Sequence, residues 1–195
     1  MGVLVKRTGF EKYRTQGKSR PIRAIKNHIR YISAQKETHR NEVKLFDQNR
    51  DEVDRKEIYE KLKNQRQHGT VAHKIVFSLS EDEAEKNNVD MIELVRETMD
   101  QYQAKYKQQF TWVGALHDDE GHPHVHVVIL GRDKNDKAVG IYTRHMRQME
   151  RMAEKVKERM KERPRSLQRE FDLEREEERF FEKIIERNRE ITRER

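Results

Sequence analysis

Residues His117 to His126 read H-D-D-E-G-H-P-H-V-H, and an apolar run from Val127 to Leu130 follows at once. His124 and His126 are two apart, so on a β-strand both side chains leave the same face, while Val125, Val127 and Ile129 fill the other. Upstream, Phe110 to His117 (F-T-W-V-G-A-L-H) also reads as a strand, and Asp118 to Pro123 is a polar connection containing Gly and Pro. The pattern predicts a hairpin. Pairing its ends sets His117 beside His124 and His126, where three neutral imidazoles grip one side of a divalent cation and leave positions open for water and a substrate oxygen. A strand that carries histidines by chance is the competing reading. Against it, four of the nine histidines fall within these ten residues and bracket a turn. His122 precedes Pro123 in the connection, off the strand, and is expected to support the ligands or touch substrate.

The order His, any residue, Asp, then His-Pro-His-Val-His and an apolar strand resembles the metal motif of the HUH endonucleases, in particular the relaxases that nick plasmid and conjugative-element DNA at a transfer origin. His117, Asp119, His124 and His126 match it position by position. The resemblance implies that the three histidines hold the metal and that Asp119 orients a histidine or takes the nucleophile's proton. It also implies a tyrosine nucleophile upstream, on a helix. The segment from Pro21 to Glu37 (P-I-R-A-I-K-N-H-I-R-Y-I-S-A-Q-K-E) resembles the family's first motif, with Tyr31 in that place. Helical phase agrees, because Ile22, Ile25, Ile29 and Ile32 form one stripe and Tyr31 lies about 140° around the axis from its centre. Tyr102 and Tyr106 are expected on the apolar stripe of another helix, with Val89, Ile92, Val95 and Met99. Pattern alone leaves Tyr13, Tyr59 and Tyr142 open.

The chemistry implied is site- and strand-specific transesterification: a 5′-phosphotyrosyl enzyme and a free 3′-hydroxyl, which can attack back and religate. A phenol with an ordinary pKa of about 10 is protonated at neutral pH, so the nucleophile needs help, and a metal that offsets charge on the scissile phosphate supplies part of it. Three imidazoles favour late transition metals, whereas phosphoryl chemistry and cellular supply favour Mg²⁺ or Mn²⁺. Single-stranded or supercoiled DNA at a transfer origin is the expected substrate, with accessory proteins of the relaxosome as partners. Lys6, Arg7, Lys12, Arg14, Lys18, Arg20 and Arg23 cluster before the tyrosine helix, and Arg14, Lys18, Arg20 and Arg23 are the expected phosphate contacts.

Other readings start from the same residues. His122, His124 and His126 imitate the alternating motif of histidine-triad nucleotide hydrolases, which leaves His117, Asp119 and Tyr31 unused. A rolling-circle initiator or single-tyrosine transposase shares HUH chemistry but commonly places its tyrosine after the histidines, where the chain offers none beyond Tyr142. A DNA-binding accessory protein that keeps the scaffold and has lost catalysis is the third.

The remaining chain predicts an α+β fold: a central antiparallel sheet carrying the metal hairpin, with helices packed mainly on one face. Val3 to Val5 begins a strand, Gly9 to Arg20 is a polar basic stretch, and Asp51 to Gln67 is a polar helix. Val71 to Leu79 alternates as a strand, and Ser80 with Glu83 forms a capping box opening a helix to about Gln108. Lys137 to Tyr142 is a short returning strand. From Thr143 to Arg163, Met146, Met149, Met152, Ala153, Val156 and Met160 keep a helical stripe that Pro164 breaks. This gives a catalytic domain over 1–163 and a charged helical extension or linker over 164–195.

Charged residues make up 41% of the 195, with a net charge of +7 that suits a polyanionic partner. No cysteine occurs, which excludes thiolate catalysis and disulfides. The N-terminus lacks the apolar core of a signal peptide and no apolar run spans a bilayer, so a cytoplasmic protein is expected.

Overall fold

Valines and isoleucines stand at consecutive positions along the central strands, so side-chain alternation gives the sheet two apolar faces, and each must be covered. In the computed structural model this is a five-stranded antiparallel sheet ordered β1-β3-β5-β4-β2. The structure describes residues 2–13, 21–34, 43–66, 68–80, 82, 89–119 and 122–162, and the fold given is that of the unit Met1–Lys157. The strands are β1 (Leu4–Lys12), β2 (Leu45–Phe46), β3 (Thr70–Ser78), β4 (Phe110–Asp119) and β5 (His122–Asp133). The helices are α1 (Pro21–Ile32), α2 (Arg55–Asn64), α3 (Met91–Tyr106) and α4 (residues 143–162). The α+β class and the antiparallel sheet carrying the histidine hairpin are as expected.

The helices divide between the two faces rather than packing mainly on one as expected, because both faces of the central strands are apolar. Ile25, Ile29 and Ile32 of α1 and Ile58 and Leu62 of α2 pack on Ala72, Val113, Ala115, Val128 and Leu130. The opposite face carries Trp112, Val127 and Ile129, and α3 lies on that side, where Arg96 stacks over Phe46 and Phe46 meets Trp112 edge-on. On α4, Met146, Met149, Met152, Ala153 and Val156 are buried as their stripe requires. Glu154 and Glu150 of α4 accept the backbone N–H groups of Val3 and Val5, which ties the edge strand β1 to that helix.

Several expected boundaries move. β1 runs on through Gly9 to Lys12, because pairing with β3 recruits polar residues into an edge strand, with register shifts at Gly9 and Lys12. The helix expected to run from Ser80 to about Gln108 is not continuous: Val89 and Asp90 are non-helical, and α3 begins at Met91, where the Asp90 carboxylate caps the N–H groups of Ile92 and Glu93 at 2.8 and 3.1 Å. Residues 83–88, with the Glu83 half of the capping box, lie outside the described residues. The phase of α3 shifts accordingly, burying Met91, Leu94, Val95, Thr98, Met99 and Tyr102 and leaving Tyr106 exposed. Lys137 to Tyr142 makes only one bridge, Ala138 to Arg132, rather than a strand. The two-residue β2 pairs with Ala115 and Gly114, and Phe46 fits because Gly114 has no Cβ: one there would lie 2.5 Å from the Phe46 ring.

Candidate metal and nucleophile site

The β4–β5 hairpin is longer than its sequence suggested. β4 extends to Asp119 and β5 begins at His122, so His122 lies on the strand and not in a connection, and only residues 120 and 121 separate the two strands. Register then determines the site. His117 faces His124 directly, and His126 is the next residue on that face, opposite Ala115 and Val76. The three rings stand 4.9 to 5.3 Å apart between centroids. One ring nitrogen from each lies within 4.8 Å of the others, His117 buried and the other two half-buried. Around an ion at about 2.1 Å, ligand nitrogens sit roughly 3–3.5 Å apart, so small ring rotations close the set.

Hydrogen bonds orient two of the rings. His124 Nδ1 donates to the main-chain oxygen of His122 at 2.9 Å, which fixes its tautomer and turns the lone pair of Nε2 outward. His122 therefore meets the cluster through its backbone, while its side chain is exposed. His117 Nε2 donates to the carbonyl of Ile32 at 2.7 Å, leaving Nδ1 with a lone pair. That carbonyl belongs to the last residue of α1, where main-chain oxygens have no partner within the helix. Two oxygen-anchored imidazoles beside a third fit a divalent cation.

The same contact brings α1 to the cluster. Tyr31 adjoins Ile32 and is 68% exposed, as its helical phase requires with Ile25, Ile29 and Ile32 buried beneath. One turn earlier, His28 stands edge-on to His126 with ring centroids 6.2 Å apart. Burial and then the nearby Lys74 ammonium, against a smaller opposing effect of Glu11, lower its pKa to about 4, so the ring is neutral. The sequence reading passed over His28. Its spacing, three residues before Tyr31 on the side of the helix between the tyrosine and the apolar stripe, was the available signal.

The other tyrosines lie elsewhere. Tyr102 is buried with its hydroxyl 2.8 Å from His145 Nδ1, and Tyr142 is exposed but packs on His145 and Arg144. Tyr59 donates to the carbonyl of Lys26, and Tyr13 packs on the α1–α2 core. Only the backbone of Asp119 is described, and it ends β4 opposite His122. Arg23 is exposed on the first turn of α1. Arg14, Lys18 and Arg20 lie outside the described residues. His73, with its ring bonded to the Val139 carbonyl at 2.8 Å, is buried on the opposite face. The cluster joins His117, not His122, to His124 and His126, which is not the set a histidine-triad hydrolase uses. On α4 there is no tyrosine, so the order of a rolling-circle initiator is not met.

Among the described residues no helix is long and apolar enough to cross a membrane. No match to the chain was found among curated proteins or solved structures. A family model, that of the MobA/VirD2-like relaxase nuclease domain, matches residues 27–161, which takes in His28, Tyr31, His117, Asp119, His124 and His126. With well over half its length matched, the chain belongs to the MobA/VirD2-like relaxases, and the region that carries the histidine cluster and the tyrosine helix is their DNA-nicking nuclease domain.

Proposed function

We propose that this relaxase cuts one DNA strand at a transfer origin by transesterification, with Tyr31 as nucleophile and His117, His124 and His126 as the ligands of Mg²⁺ or Mn²⁺. The observation that carries the reading is the 2.7 Å hydrogen bond from His117 to the Ile32 carbonyl, which joins the ligand cluster to the residue beside an exposed tyrosine. The bound cation would supply charge compensation at a non-bridging oxygen of the scissile phosphate. The Tyr31 oxygen attacks phosphorus as the bond to the 3′-oxygen breaks; the phenolic proton passes to an acceptor, and the 3′-oxygen takes up a proton. A 5′-phosphotyrosyl enzyme and a 3′-hydroxyl result, and because the phosphodiester energy stays in the phosphotyrosine, the reverse attack religates the strand.

Asp119 is the proton acceptor or an anchor for a ligand in this reading, since it ends the strand that carries His117. Exposed Arg23, and Arg14, Lys18 and Arg20 before it, would hold phosphates beside α1. We place the catalytic domain at 1–163, supported by the family match to residue 161, and treat 164–195 as a charged extension. Accessory relaxosome proteins are the expected partners, and the cytoplasm, where the element's DNA lies, the expected compartment.

Incubation with supercoiled DNA carrying the transfer origin of the protein's own element tests the proposal. Mn²⁺ should give a nick with protein attached to the 5′ end, EDTA should abolish it, and Tyr31→Phe should lose both nick and adduct. A nick that survives Tyr31→Phe, or one that needs no metal, contradicts it.

A further inference from the structure

His28 is an imidazole against the ligand cluster, through His126, that the proposed chemistry has not used. It sits on α1 at the rim of the buried stripe, rotated toward Tyr31, and its ring approaches His126 edge-on. On the sheet face that α1 covers, Lys74 pairs with Glu11 at 3.3 Å. His28 is only half-buried. α1 carries His28 and Tyr31 one turn apart, and the carbonyl of Ile32 holds the end of that helix on His117.

We infer that His28 is a further catalytic residue, donating a ring N–H to a non-bridging oxygen of the scissile phosphate while Tyr31 attacks. This rests on the nicking reading above. An imidazole suits that role, because it offers a ring N–H that can be directed at the charge that grows on phosphate oxygens in the transition state. Packing alone would make His28 a support for His126, and the two roles differ in what they change.

The test compares His28→Phe, which keeps a ring against His126 and removes the donor, with His28→Gln, which restores an N–H. Single-turnover nicking of origin DNA at saturating DNA and Mn²⁺ gives the chemical step, and calorimetric titration with Mn²⁺ gives the affinity of the cluster. His28→Phe should slow nicking about 10- to 100-fold with Mn²⁺ affinity within about threefold of wild type, and His28→Gln should recover most of the rate. Wild-type rates in His28→Phe overturn the inference. So does a Mn²⁺ affinity that falls by the same factor as the rate, because His28 would then act through His126. If wild-type protein forms no nick while the variants bind Mn²⁺ normally, the nicking reading itself fails and takes the role of His28 with it.

Discussion

The two strands of the β4–β5 hairpin make different demands on stability at their paired histidines. His117 is 7% exposed and donates to the Ile32 carbonyl at a helix end, whereas His124 is half-buried and bonds a carbonyl of the exposed His122. Replacing His117 with Ala strands a buried helix-end carbonyl and opens a gap beneath α1, for about 1–3 kcal/mol. His124→Ala exposes its carbonyl partner to water, which satisfies it, so the cost stays under about 1 kcal/mol. In urea melts with EDTA present, His117→Ala should therefore be clearly the less stable. Adding Mn²⁺ at about 100 times its dissociation constant should raise the wild-type stability by roughly 2.7 kcal/mol, a rise of about 5–10 °C in Tm for a unit of this size, and should raise neither variant comparably. Equal losses for the two variants in EDTA would refute the claim that His117 pins α1 to the sheet. An unchanged Tm on adding Mn²⁺ to wild type would refute the ligand assignment.

Three further outcomes follow from the packing. A Cβ at Gly131 would collide with the Thr70 carbonyl inside the β3–β5 ladder, so Gly131→Ala should cost about 3 kcal/mol or more, read as a lowered urea midpoint or loss of soluble protein. Asp90→Ala removes the cap of α3 and should cost about 1 kcal/mol, read as a matching shift in urea midpoint without loss of nicking. Burial holds the His73 pKa below its ordinary 6.5. The unfolded chain thus binds that proton more readily, and the contribution to stability is full above pH 6.5 and drains as pH falls below it. His73→Gln, which keeps a donor for the Val139 carbonyl, should flatten the loss of urea stability on going from about pH 7 toward about pH 5.

Much of the site was legible because it rests on period-two spacing within one hairpin: once β4 and β5 pair, His117, His124 and His126 have to share a face. The exposure of Tyr31 followed in the same way from the helical phase of α1. What connects the two was not legible. The bond from His117 to Ile32 spans 85 positions and depends on how α1 settles on the sheet, which local patterns do not encode. His28 was missed for a related reason, since an imidazole on a polar helix side has no distinguishing mark until a strand is brought beneath it. At the elements themselves, errors arose where tertiary pairing overrode local character. Polar Gly9 to Lys12 was drawn into β1 by its neighbour β3, and Asp90 caps a helix start at Met91 within the span expected to be one helix from Ser80.

The most direct test of the central claim is to trap the covalent complex of the protein with origin DNA in Mn²⁺, digest it, and identify by mass spectrometry the peptide that retains a nucleotide. The account predicts the nucleotide on Tyr31, in the α1 peptide next to Ile32. A nucleotide on Tyr142, or on any residue away from the histidine cluster, would contradict it.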